Sequence, residues 1–139
     1  MVSAMKNEPI TLERIDELLQ FLPLFEKLEG EFVERWGGGE KTPDGAINMP
    51  FPVYPPDVEQ FFRLASQPCW CDYQYNLGDP GAMLEDDSLV QSAGMEQIKT
   101  MLTYCVRGER FCSGHWGAVL RSGRVVALLK RLQVLRASM

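Results

Sequence analysis

Thirteen residues, Cys105 to Gly117 (Cys-Val-Arg-Gly-Glu-Arg-Phe-Cys-Ser-Gly-His-Trp-Gly), hold two arginines, a glutamate, a tryptophan and the one histidine of the chain. Arg107 and Arg110 are three apart, so on a helix they share a face. A guanidinium presents a planar fork of donors that suits carboxylate or phosphate. His115 titrates near neutrality, as a general base must, and Glu109 could orient it. Two readings stay open. One is an anion-binding or catalytic pocket made of Arg107, Glu109, Arg110, His115 and Trp116. The other, which is favoured, is a structural network in which Arg110 pairs with an acid from the N-terminal region and pins two helices together. Paired charges of that kind perturb pKa values without any catalysis. Ser113 and Cys112 neighbour His115 only along the chain, which is weak support for a nucleophile and base.

Other chemistry is thinner. Cys112 and His115 have Cys-x-x-His spacing, and Cys69 and Cys71 add thiols. A structural zinc site needs four ligands, and Cys-x-Cys is tighter than its usual spacing. Glu85, Asp86 and Asp87 are consecutive, and adjacent acids do not share a helix face. Gly37, Gly38 and Gly39 lack the lysine and helix of a phosphate loop, and no EF-hand or dinucleotide fingerprint is present. No metal and no cofactor are expected.

The elements that must position these residues are read from apolar spacing. Leu12, Ile15, Leu18, Leu19 and Leu22 predict a first helix, capped by Thr11 and ended by Pro23. Alternation over Phe32 to Trp36, the turn residues Thr42-Pro43-Asp44-Gly45, and a return over Ala46 to Val53 predict a small antiparallel hairpin. Pro50 and Pro52 keep it at an edge. A second helix spans about Pro56 to Ser66, with Val58, Phe61, Phe62 and Ala65 inward. Cys69 to Pro80 is aromatic and irregular, and a short helical turn lies near Met83 and Leu84. A third helix covers about Gly94 to Val106, with Ser92 as its cap. Phe111 to Leu120 and Arg124 to Arg136 are helical, with Gly123 between them as a stop. The last helix buries Val125, Leu128, Leu129, Leu132 and Leu135 and leaves Lys130, Arg131 and Arg136 wet. The fold class expected is α+β, predominantly helical, with one globular domain over 11–137 after a flexible start at 1–10.

The pattern resembles a family of small uncharacterised bacterial proteins, classed as a domain of unknown function. The matching features are Leu22-Pro23-Leu24-Phe25, Val53-Tyr54, Asp57-Val58 with Phe61, and Met101-Leu102-Thr103. Arg107-Gly108-Glu109-Arg110-Phe111, Gly114-His115-Trp116, Gly123 and Leu128 to Leu132 complete the match. Members often carry Asp where this chain has Glu109, and Leu where it has Trp116. The resemblance implies a shared fold and names no reaction.

Charge is uneven. Residues 106–139 hold seven basic residues against one acid, a net +6, while residues 1–105 hold seven against eighteen, a net −11. The favoured explanation is that the two halves complement each other within one fold or across a dimer. No apolar run approaches the roughly 18 residues that cross a membrane, and the start lacks the apolar stretch of a signal peptide. A cytoplasmic chain with reduced cysteines is expected. The leading functional expectation is a non-enzymatic interaction domain that meets a protein, or a second copy of itself, through its basic helical end or the aromatic segment Trp70 to Tyr75. A small enzyme or anion-binding protein built on the Arg/Glu/His cluster is the alternative. Nucleic-acid binding through the basic C-terminal helices ranks lower, because the chain is acidic overall, with a pI near 4.9, and lacks a recognised nucleic-acid motif.

Overall fold

The computed structural model describes residues 9–27, 35–47, 51–72, 79–110 and 114–139, and they are mostly helical. α1 (Leu12–Leu19) buries Ile15 and Leu18. The Thr11 side chain accepts the Arg14 amide at 3.2 Å, satisfying a donor that the first turn leaves without an acceptor. Pro23 does not end this helix. α1 stops at Leu19, and Pro23 is the second residue of α2 (Leu22–Lys27). A first helical turn asks for no amide partner, so proline fits a helix start as well as a helix stop.

Two three-residue strands follow, β1 (Arg35–Gly37) and β2 (Phe51–Val53), paired antiparallel with Arg35 opposite Val53. Nearer the turn, Lys41 and Ile47 form an isolated bridge. Of the hairpin expected over residues 32–53, the described chain holds only this three-residue pairing and one bridge. Pro52 sits inside β2 and brings no amide to a ladder. Residues 28–34 and 48–50, parts of both expected strands, lie outside the described residues.

α3 (Pro56–Ala65) turns Val58, Phe61, Phe62 and Ala65 inward. Trp70 ends a single 3-10 turn and is fully buried, as is Cys69 beside it. The expected aromatic contact surface therefore loses its tryptophan to the core, and Tyr73 and Tyr75 lie outside the described residues. α4 (Pro80–Glu85) and α5 (Asp87–Ser92) occupy the stretch expected to hold one short turn. A carboxylate caps the start of each: Asp79 accepts the Gly81 amide at 3.0 Å for α4, and Asp86 the Leu89 amide at 3.1 Å for α5.

α6 (Met95–Arg107) buries Ile98, Met101, Leu102 and Cys105. Its cap is Gly94 rather than Ser92, with the Gly94 amide held by the Gln97 side chain at 2.9 Å. α7 (His115–Arg121) and α8 (Arg124–Ala137) meet at Gly123. The φ of 81° there lies in the left-handed region that a side chain disfavours, so the chain turns a tight corner between the two helices. α8 packs against α1, α2, α5, α6 and α7. Val125, Leu128, Leu129 and Leu132 are buried at its centre, each contributing about 1.5–3 kcal/mol by removal from water.

The basic residues of α8 are largely engaged inside the molecule. Arg124 donates to the Leu84 carbonyl at 2.6 Å and Arg131 to the Ala93 carbonyl at 2.7 Å. These carbonyls end α4 and α5, where helices leave acceptors unpaired. Arg131, expected on the wet side, is half-buried and held by the main chain. Arg136 forks onto Asp16 at 2.6 and 3.1 Å, and Lys130 lies 3.4 Å from Glu26. Guanidinium and ammonium groups of the positive end thus meet carboxylates of the negative end.

Candidate functional site

The motif-rich segment is a joint between two helices. α6 ends at Arg107, Gly108 to Glu109 to Arg110 forms one 3-10 turn, and α7 starts at His115. A helix end leaves carbonyls without partners, and a helix start leaves amides without them. Both sets are met here by side chains from across the joint.

Glu109 serves the start of α7. Its Oε2 accepts the Gly114 amide at 2.9 Å, and its Oε1 accepts the Trp116 amide at 2.9 Å and the Tyr54 hydroxyl at 2.8 Å. The Tyr54 oxygen in turn accepts the Gly117 amide at 3.3 Å. One carboxylate and one phenol thus cover three amides of the first turn. A negative charge at this end also complements the helix dipole. Burial, then the bond to Glu109, drives the Tyr54 pKa above its ordinary value, so the phenol stays protonated.

Trp116 serves the end of α6. Its Nε1 donates to the Val106 carbonyl at 3.0 Å. The indole stacks on Phe62 with centroids 4.5 Å apart and planes 6° apart, and leans on Tyr54 at 5.2 Å. Phe62 meets Phe61, which meets Phe21 and Phe25 edge-on. A continuous run of rings therefore ties the joint to α2 and α3.

His115 is pressed into the inner side of the joint. Its ring lies edge-on to Tyr104 at 5.1 Å. A Cβ added at Gly108 would fall 2.2–2.5 Å from three atoms of the imidazole, closer than any packed pair tolerates. Gly108 is thus a residue without which this ring has no seat, and not merely a breaker. Nε2 is sealed from solvent and meets no hydrogen-bond partner among the described residues. Burial lowers the His115 pKa below 6.5, against the opposing pull of Glu109 and the Tyr104 backbone. Glu109 does not hydrogen-bond the imidazole among the described residues, so the expected acid–base alignment of the two is absent there.

Of the five candidate residues, Glu109, His115 and Trp116 come together. Arg107 ends α6 and is half-buried at the same joint. The Arg110 side chain and residues 111–113, including Cys112 and Ser113, lie outside the described residues. The Cys71 thiol donates to the Ser66 and Gln67 carbonyls, and full burial pushes Cys105 up to about 12, which leaves it unreactive as a nucleophile. Sequence reasoning passed over Tyr54, whose signal was its place beside Val53 in the family pattern, 55 positions from the glutamate it meets.

A second feature shares no residue with the joint. A groove of about 230 Å³ runs between α5 and α8, lined by Asp87, Val90, Ala127, Lys130, Arg131 and Val134. Val134 is 55% exposed at its edge.

These features define a mostly helical protein whose most distinctive segment is a doubly capped helix joint. The chain belongs to a family of unknown function, DUF6508, whose model matches residues 10–138. No curated protein and no solved structure matches it. No described helix is long and apolar enough to cross a membrane.

Proposed function

We propose that the chain is a non-enzymatic protein-interaction domain of the cytoplasm, in which the Arg/Glu/His/Trp segment is a structural joint and the α5–α8 face is the contact surface. The observation that carries this reading is that the Glu109 carboxylate accepts three hydrogen bonds from within the fold. Its two oxygens are committed to Tyr54 and to two main-chain amides, so it is not a base or a proton relay for a substrate. The same carboxylate fills the amide cradle that an external anion would need. The nucleic-acid alternative is weakened by the engagement of Arg124, Lys130, Arg131 and Arg136 within the fold.

Site-specific incorporation of a photo-cross-linking amino acid in the cell of origin tests the reading. Placed at Val134, it is expected to give a discrete protein adduct. Placed at Gln60, on the exposed side of α3, it is expected to give none. Adducts at neither position, or equally at both, would overturn the interaction reading.

A further inference from the structure

His115 and the first turn of α7 draw on the same carboxylate. The imidazole is seated edge-on to Tyr104 and beneath Gly108, with Nε2 sealed from solvent and without a hydrogen-bond partner among the described residues. In a neutral ring one nitrogen is a bare acceptor, whereas in a charged ring both nitrogens are donors. A sealed N–H that carries positive charge costs far more when nothing accepts it. The elements packed against α7 are α6, the 3-10 turn and α8. α6 brings Tyr104, Cys105 and Arg107, and the turn brings Glu109. α8 brings Arg124, which donates to the Leu84 carbonyl, and its other cations are bound to Glu26, Ala93 and Asp16. Among these groups it is Glu109 whose charge acts on the imidazole. Its oxygens already accept the Gly114 and Trp116 amides and the Tyr54 hydroxyl.

We propose that the α6–α7 joint is an acid-sensitive latch, in which proton uptake by His115 and capping of α7 by Glu109 are alternatives. At neutral pH the uncharged ring fits beneath Gly108 and leaves Glu109 to hold the first turn of α7. A protonated ring has two ways to satisfy its charge, and both open the joint. It can leave its seat for water, and it takes the first residue of α7 with it. It can instead draw Glu109 to itself, and the Gly114 and Trp116 amides then lose their acceptor. The Trp116 stack on Phe62 and its bond to the Val106 carbonyl loosen with that turn, and seven residues do not stay helical without such support. The centre of α8 is held by apolar burial, which a proton on His115 leaves in place. Burial keeps the imidazole pKa below 6.5, so the latch is closed at neutral pH and opens as the pH falls through that lower value.

Amide hydrogen exchange of the full chain, followed by NMR from about pH 7 to about pH 5 and expressed as protection relative to an unstructured chain, reads the latch at Gly114, Trp116 and Gly117. Protection there is expected to fall by at least about threefold and at most about thirtyfold, the ceiling for an imidazole that titrates near 6.5 once released. The exchange at these three amides is expected to change little in low urea, because a local opening exposes little surface. Exchange at the Leu128 amide, in the buried centre of α8, is expected to follow urea through global unfolding. The imidazole resonances of His115 in the same samples are expected to titrate below 6.5, in step with the three amides. His115→Gln takes up no proton in this range and is expected to abolish the pH response. If that variant does not fold, the coincidence of the imidazole and amide titrations in the parent chain decides the matter. An imidazole that titrates while the three amides stay protected, amides that loosen equally in His115→Gln, or exchange that follows urea as steeply as at Leu128 would overturn the proposal.

Discussion

At the scale of single residues, Gly108 and His115 act as one unit. The imidazole occupies the space where any other residue at 108 would place its Cβ. Gly108→Ala is expected to destabilise the fold by about 1–3 kcal/mol through overpacking. Adding His115→Ala should return part of that loss, since the added methyl then meets a vacated site. Urea denaturation of the four members of this cycle measures the coupling, and simple additivity would show that the two do not touch. His115 also sets a pH dependence. Its folded pKa is lowered below 6.5, chiefly by burial, so the unfolded chain takes up the proton first as pH falls. The stability it contributes is complete above about 6.5 and declines below it. The decline levels off once the pH is beneath the folded pKa. His115→Gln should flatten that part of the stability profile between pH 5 and 7 relative to the parent. Parallel profiles for the two proteins would rule out a buried neutral histidine.

At the scale of elements, the helix ends explain why the segment is so rich in polar residues. A seven-residue α7 is too short to persist without tertiary support. Its start is held by Glu109 and Tyr54, and the end of α6 is held by Trp116. Glu109→Gln keeps the shape but loses the charge that accepts these donors. A loss of about 1–3 kcal/mol is expected, read as a lower urea midpoint with an unchanged slope. A variant as stable as the parent would mean that the carboxylate is not a cap, and would reopen a chemical role for it. The periodic leucines and phenylalanines had announced α1, α3, α6 and α8 and their inward faces, because burial of one stripe is a local property of spacing. They did not announce the break between α1 and α2, since Leu19 and Leu22 keep helical spacing across it. Nor did they distinguish Pro23 as a helix opener from Pro23 as a helix stop.

At the scale of the molecule, α8 is the post against which α1, α2, α5, α6 and α7 pack. Val125, Leu128, Leu129 and Leu132 at its centre are buried. Leu132 is fully buried, and Leu132→Ala is expected to lose about 2–5 kcal/mol through transfer and cavity terms. The ion pair of Arg136 with Asp16 joins the last helix to the first across 120 positions, yet it is solvent-exposed. Arg136→Ala should therefore lose no more than about 1 kcal/mol. Thermal or urea unfolding of the two variants compares these terms directly, and comparable losses would mean that surface charge matters as much as the α8 core.

The opposite charges of the two ends were visible in composition, as was the possibility that they complement each other. Their actual partners were not, because Arg124 and Arg131 turn to carbonyls, which every residue possesses and no pattern marks. The same holds at the joint. Spacing alone determined that α1, α3, α6 and α8 coil and which of their residues form the core stripe, since those follow from a residue's near neighbours. Only the tertiary structure decided that Glu109 caps a helix instead of serving a substrate, that Trp70 is core instead of surface, and that His115 is sealed against a glycine. Each of those outcomes depends on groups that folding brings together from distant positions in the chain.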